Sequence, residues 1–260
     1  MEEVVRRFFF GVLAVCVFVL SSCDDFFSTS LWPATQTYNL ANVDVNAGNI
    51  DQWVDSARGN PELAAALMDK INQDLASGRF HGEEKAKLME AGIRLAVNSS
   101  GMGSSIISNA SNILGNLDSV GDDTLLDLLG GVRSDFNNNG GPAAAENLAN
   151  IANAGIGSGS PPQFEPDYAN TAVPGDVAEA VFVLALGELG PDANVSDWSN
   201  PSEMGLDINE DGYFTVIEPN PSPNQRALAA YLNLINSGGP EYDNNPLTSA
   251  IRDAFKSTNE

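Results

Sequence analysis

Apolar positions recur along this chain at helical rather than strand spacing. Leu63, Leu67, Ile71 and Leu75 fall at every fourth residue, which puts them on one stripe of a helix. Asn60 and Pro61 stand before them as a capping residue and a first-turn proline, and Gly78 follows as a stop. Similar spacing predicts a helix over 83–97. It predicts a third over 104–117, with Ile106, Ala110, Ile113, Leu114 and Leu117 on one face. A fourth over about 122–136 carries Leu125, Leu129, Val132 and Phe136 in register. The alanine-rich run from Gly141 supplies a fifth, ending near Gly157. "PGDVAEAVFVLALGELG" is the most apolar helix and reads as buried on several sides. Ser222 before Pro223 caps a helix bearing Leu228, Tyr231, Leu232 and Ile235, and Leu247, Ile251 and Phe255 mark the last one.

No run of alternating β-branched residues asks for a sheet. The expected fold is therefore all-α: an irregular bundle of about eight or nine helices joined by Gly, Asn and Pro turns. Paired helices of this length suggest a repeat array, but the alanine and aromatic signature of such arrays does not recur. Residues 24–59 carry no sustained helical pattern. They read as a tether that becomes a docking segment, because Trp32, Tyr38 and Trp53 need apolar cover. The helical domain then runs over 60–260, with a break between halves near 157–173. Phe164 and Tyr168 mark that break as a packed loop rather than a free linker.

The first residues add a destination. Arg6 and Arg7 precede a continuous apolar run over 8–20, thirteen residues long and too short for a permanent bilayer span. Ser21 and Ser22 then lead to Cys23. This is the layout of a secretory signal over 1–22. "LSSC" also resembles the bacterial lipoprotein signature, an aliphatic residue and two small ones before a cysteine. That resemblance implies export, lipidation of Cys23 and mooring to a membrane on its periplasmic or cell-surface side. Cys16 would leave with the signal, and the folded part would contain no disulfide and no thiol nucleophile.

Charge narrows the partners. The chain has 12 Lys+Arg against 35 Asp+Glu, a net −23. Loss of Glu2, Glu3, Arg6 and Arg7 leaves that balance unchanged. So acidic a chain is not expected to bind nucleic acid, which needs clustered Lys and Arg. His81 is the only histidine, which excludes a site built from several histidines. Glu179 and Glu188 lie nine positions apart on one apolar helix, so they point to different faces rather than forming a catalytic pair.

The strongest chemical signal is "DINEDGYFTVIE", residues 207–218. Asp207, Asn209 and Asp211 occupy places 1, 3 and 5, and Gly212 at place 6 allows a sharp turn. Tyr213 would offer its carbonyl, Thr215 its hydroxyl directly or through water, and Glu218 both carboxylate oxygens. Calcium is a hard cation that takes several oxygens, and alternate side chains of a tight loop converge on one point. Phe214 at place 8 would turn inward and hold the loop to the core. The twelve residues resemble an EF-hand or dockerin-like calcium loop. The flanks depart from that family, because Pro219, Pro221 and Pro223 exclude a regular exiting helix directly after the loop. A structural clip is therefore expected rather than a sensor.

"DFNNNGGPAAAE" fits the template more loosely. Asp135, Asn137, Asn139, Gly140, Gly141 and Glu146 take places 1, 3, 5, 6, 7 and 12. Pro142 and Ala143 weaken the match, and a turn between helices is the preferred reading over a weak second metal site. Two functions are compatible with all of this. One is a lipid-anchored, calcium-stabilised protein that binds another envelope protein or a small solute. The other is an exported hydrolase of polysaccharide or envelope polymer with a structural calcium site. The first is preferred, because no nucleophile, base or metal-activated water constellation is recognisable.

Overall fold

Asn60 begins the first long helix as its spacing requires: its side chain accepts a hydrogen bond from the Leu63 N–H. The computed structural model describes residues 38, 40, 43–100, 133, 136–189, 200–217 and 219–256. The expected helix over 104–117, Cys23, Trp32, Asp135 and Glu218 lie outside them, as does most of the expected helix over 122–136. In chain order the described helices are α1 (Ile50–Ser56), α2 (Pro61–Ala76), α3 (Gly82–Ser99), α4 (Gly141–Ala154) and α5 (Pro166–Ala169). They continue with α6 (Pro174–Leu189), α7 (Pro223–Ser237), α8 (Pro240–Asp243) and α9 (Pro246–Lys256). The all-α expectation holds. None of the described helices is long and apolar enough to cross a membrane.

Two elements depart from the pattern. A short helix, α1, forms inside 24–59, where no helix was expected; only Ile50 and Val54 are buried on it. A two-stranded antiparallel hairpin, β1 (Leu206–Ile208) and β2 (Phe214–Val216), stands in an otherwise helical chain. Each strand is three residues long, too short to leave an alternating pattern in the sequence.

The described residues from Tyr38 onward share one compact unit. Its interior is built around α4, which touches α2, α3, α6 and α7. Small residues let these helices approach closely. A Cβ on Gly92 of α3 would lie 2.9 Å from the Ile151 side chain of α4. A Cβ on Gly187 of α6 would lie 2.7 Å from Ala145. Helix α6 buries Val177, Ala178, Ala180, Val181, Val183, Leu184, Ala185 and Leu186, which fits its uniformly apolar sequence. Tyr38 and Trp53 pack against the same core, and the Tyr38 hydroxyl accepts from Asn60 Nδ2 at 2.7 Å.

The segment 157–173 is a packed strap. Phe164 lies 4.7 Å, centroid to centroid, from both Tyr168 and Tyr231 of α7. Glu165 N–H donates to the Gly155 carbonyl at 2.8 Å, and Gly157 N–H donates to Gln163 at 3.0 Å. Helix α7 starts on a complete capping box: Ser222 accepts from the Gln225 N–H, and the Gln225 side chain accepts from the Ser222 N–H. The strap and the start of α7 thus hold the surface on which the hairpin sits.

Candidate functional site

A 3₁₀ turn over Pro201–Met204 leads into the hairpin, capped by the Asn200 side chain. Gly205 follows with φ +71, a left-handed conformation that a side chain would strain. The ladder then pairs Leu206 with Val216, Asp207 with Thr215, and Ile208 with Phe214. Alternation along each strand turns Leu206 and Phe214 into the core. It turns Asp207 and Thr215 together onto the outer face.

The tip of the hairpin is drawn in by one side chain. Asn209 Oδ1 accepts from the Asp211 N–H at 3.1 Å and from the Tyr213 N–H at 2.9 Å. The Asn209 N–H donates to the Tyr213 carbonyl at 2.9 Å, and its carbonyl accepts from the Gly212 N–H at 2.9 Å. Gly212 adopts φ +81, so the glycine at place 6 meets a real backbone demand. The Asp207 carboxylate accepts from the Ile208 N–H at 2.8 Å, and the Thr215 hydroxyl lies 3.4 Å from the Asp207 carbonyl.

Of the six residues proposed as ligands, the fold places Asp207, Asn209, Asp211, Tyr213 and Thr215 on this one hairpin. Glu218 lies outside the described residues. Among the described residues, no group of three or more His, Cys, Asp or Glu side chains gathers in a way that would hold a metal ion. The five described residues of the expected ligand set carry two carboxylates, a carboxamide, a hydroxyl and a backbone carbonyl. This donor set is the oxygen-only chemistry that calcium takes.

The looser match at 135–146 has a different backbone. Residues 136–138 are helical, Gly140 turns the chain with φ +89, and α4 starts at Gly141. Asn137, Asn139 and Glu146 are exposed, and Gly141 is buried. The described segment is thus a turn between helices, punctuated by glycine and proline.

Two polar residues missed by sequence reasoning matter to the fold. Asn233 interrupts the apolar stripe of α7 and is 1% exposed. Its Oδ1 accepts from the Phe214 N–H at 2.7 Å, and its Nδ2 donates to the carbonyls of Phe214 and Pro162, each at 2.9 Å. Arg94 of α3 is the second. It meets Asp176 of α6 at 3.1 Å, Asp51 of α1 at 3.6 Å, and Glu90 of its own helix. Lys87 joins the cluster at 2.9 Å from Asp51.

Glu179 stands one turn beyond Asp176 on α6. Burial, together with the nearby negative charge of Asp176, raises its pKa from the ordinary 4.5 to about 7, against the pull of Arg94. Glu188 is also raised by burial, but Ser222, Asn224 and Gln225 hydrogen-bond its ionised form and oppose the shift. The Ser222 hydroxyl donates to Glu188 Oε1 at 2.8 Å. The two glutamates of α6 therefore serve different neighbours: Glu179 looks to α3 and Glu188 to the start of α7. A polar residue on the apolar stripe of α7 was the signal for Asn233, and one within the most apolar helix was the signal for Glu179. The groups that bond Asn233, and the Arg94 that acts on Glu179, come from elements distant in sequence.

Comparison of the chain with protein families, with curated proteins and with solved structures finds no match.

Proposed function

We propose that the chain is an exported, lipid-anchored helical protein whose loop sequence over 207–218 binds calcium as a structural clip. Cys23 would carry the lipid, and the helical domain would bind an envelope protein or a small solute. One observation carries the calcium reading. The D-x-N-x-D-G spacing lies on a hairpin whose outer face presents Asp207 and Thr215 as a cross-strand pair, with Gly212 at the left-handed turn. Asp207, Asn209, Asp211, the Tyr213 carbonyl, Thr215 and Glu218 are the oxygen donors in this reading, and Asp207, Asp211 and Glu218 supply the charge. The cation would offset the repulsion among those carboxylates and hold the tip of the loop closed.

A hydrolase of polysaccharide would need two carboxylates facing across a cleft. Glu179 and Glu188, the two carboxylates raised by burial on α6, engage separate neighbours. Glu179 and Glu188 therefore do not form such a pair.

Calcium sites outside cells commonly have dissociation constants of about 10⁻⁴–10⁻³ M. In about 2 mM calcium such a site stabilises the native state by about 1 kcal/mol. The parent protein is therefore expected to melt about 2–4 °C higher in calcium than in chelator. Asp207→Ala and Glu218→Gln are expected to lose that increment and to match the parent in chelator. Scanning calorimetry in both buffers tests this, and an increment that survives in Asp207→Ala would count against the loop as the site.

A further inference from the structure

Taking the hairpin as the calcium site proposed above, we infer that Asn233 is its positioning residue. Its carboxamide, buried under β2, holds the ligand-bearing strand in register before the cation arrives.

A two-stranded hairpin leaves one edge of each strand without a ladder partner. On β2 that edge exposes the N–H and C=O of Phe214, both drawn into the core by the buried ring. The Asn233 amide meets both groups, accepting at 2.7 Å and donating at 2.9 Å. It thus supplies what one residue of a third strand would supply. Its remaining N–H goes to the Pro162 carbonyl at 2.9 Å, so the same group ties the hairpin to the strap. Few side chains can replace it. Aspartate would set a charged acceptor against two carbonyls, and leucine would remove all three hydrogen bonds.

Phe214 lies between two of the proposed ligands, the Tyr213 carbonyl and the Thr215 hydroxyl. Clamping its N–H and C=O limits rotation of the peptide planes on either side. That keeps Thr215 opposite Asp207 on the outer face. One turn along α7, Asn236 Nδ2 lies 3.4 Å from the Gly212 carbonyl, so the same helix face also reaches the turn. A loop ordered in advance gives up less conformational freedom on binding, and the difference appears as affinity. Asn233 touches no proposed ligand atom. It acts through the backbone of Phe214.

The test is calorimetric titration of calcium into the parent and Asn233→Ala, at a temperature where circular dichroism shows both folded in chelator. Asn233→Ala is expected to bind about tenfold more weakly or worse. A role confined to stability would lower the melting temperature and leave that affinity unchanged, and unchanged affinity would overturn the inference. If the parent itself takes up no calcium, the calcium reading fails and this inference goes with it. Should Asn233→Ala not fold, hydrogen exchange at the Phe214 amide of the parent decides. Slow exchange in chelator is expected, because the clamp precedes the cation. Fast exchange that slows only in calcium would mean the ion itself orders the strand, and would overturn the inference.

Discussion

Tyr231→Ala is expected to lower stability by about 3–5 kcal/mol, the usual loss for a large buried aromatic ring. Tyr231 is fully buried on α7 and packs against Phe164 at 4.7 Å and Tyr168 at 6.3 Å. Those two rings anchor the strap over 157–173, so truncating Tyr231 removes its own contacts and loosens the attachment of the strap. For a domain of this size the change amounts to about 10 °C in melting temperature. Tyr231→Phe separates ring from hydroxyl. The two tyrosine oxygens lie 3.5 Å apart, a long contact, so this variant is expected to lose less than about 1 kcal/mol. Urea denaturation of both variants checks the pair. A small loss for Tyr231→Ala would mean that the strap is held by its backbone bonds rather than its rings.

Glu179→Gln is expected to stabilise the protein at pH 8 and to leave it unchanged at pH 4. The folded protein ionises Glu179 near 7, whereas an unperturbed glutamate ionises near 4.5. Folding therefore takes up a proton between those values. Stability falls as pH rises from about 4.5 to about 7, and the penalty is fully present above that window. A shift of this size in a fully buried group corresponds to about 3 kcal/mol. Glu179 retains some contact with solvent, which screens the effect, so about 2 kcal/mol is expected. Two cations, Lys87 and Arg94, serve four carboxylates in this cluster: Asp51, Glu90, Asp176 and Glu179. Asp51, Glu90 and Asp176 all pair with Arg94, and Glu179 is the member that gains from losing its charge. Denaturant titrations of parent and variant across pH 4–8 test the sign. An equal gain at both ends would make the effect one of packing rather than ionisation.

Features written in short-range chemistry were legible in the sequence. Asn60 with Pro61, and Ser222 with Pro223, start α2 and α7 because capping involves residues only a few positions apart. The stripe of Leu63, Leu67, Ile71 and Leu75 is buried along its whole length. The spacing at 207–218 is equally local, since every proposed ligand belongs to one loop. Features that join distant elements were not legible. Helix α1 buries only Ile50 and Val54, two positions with no further repeat to mark a stripe. Strand β2 meets the rest of the fold through Phe214, buried in the core, and through Asn233, which lies 19 positions further on. Arg94 draws its partners from α1 and α6, and the distance from Arg94 to Asp176 spans 82 positions of chain. No local pattern announces such a meeting. It follows from which helix faces pack together, and Gly92 and Gly187 let α3 and α6 each approach α4 closely.

The proposal that ties these features together is a cation held by the oxygens of 207–218. Isothermal titration of calcium into the purified protein addresses it most directly. One equivalent is expected to bind with a dissociation constant of about 10⁻⁴–10⁻³ M, and Asp207→Ala is expected to abolish the heat. No measurable binding by the parent, or unaltered binding by Asp207→Ala, would contradict it.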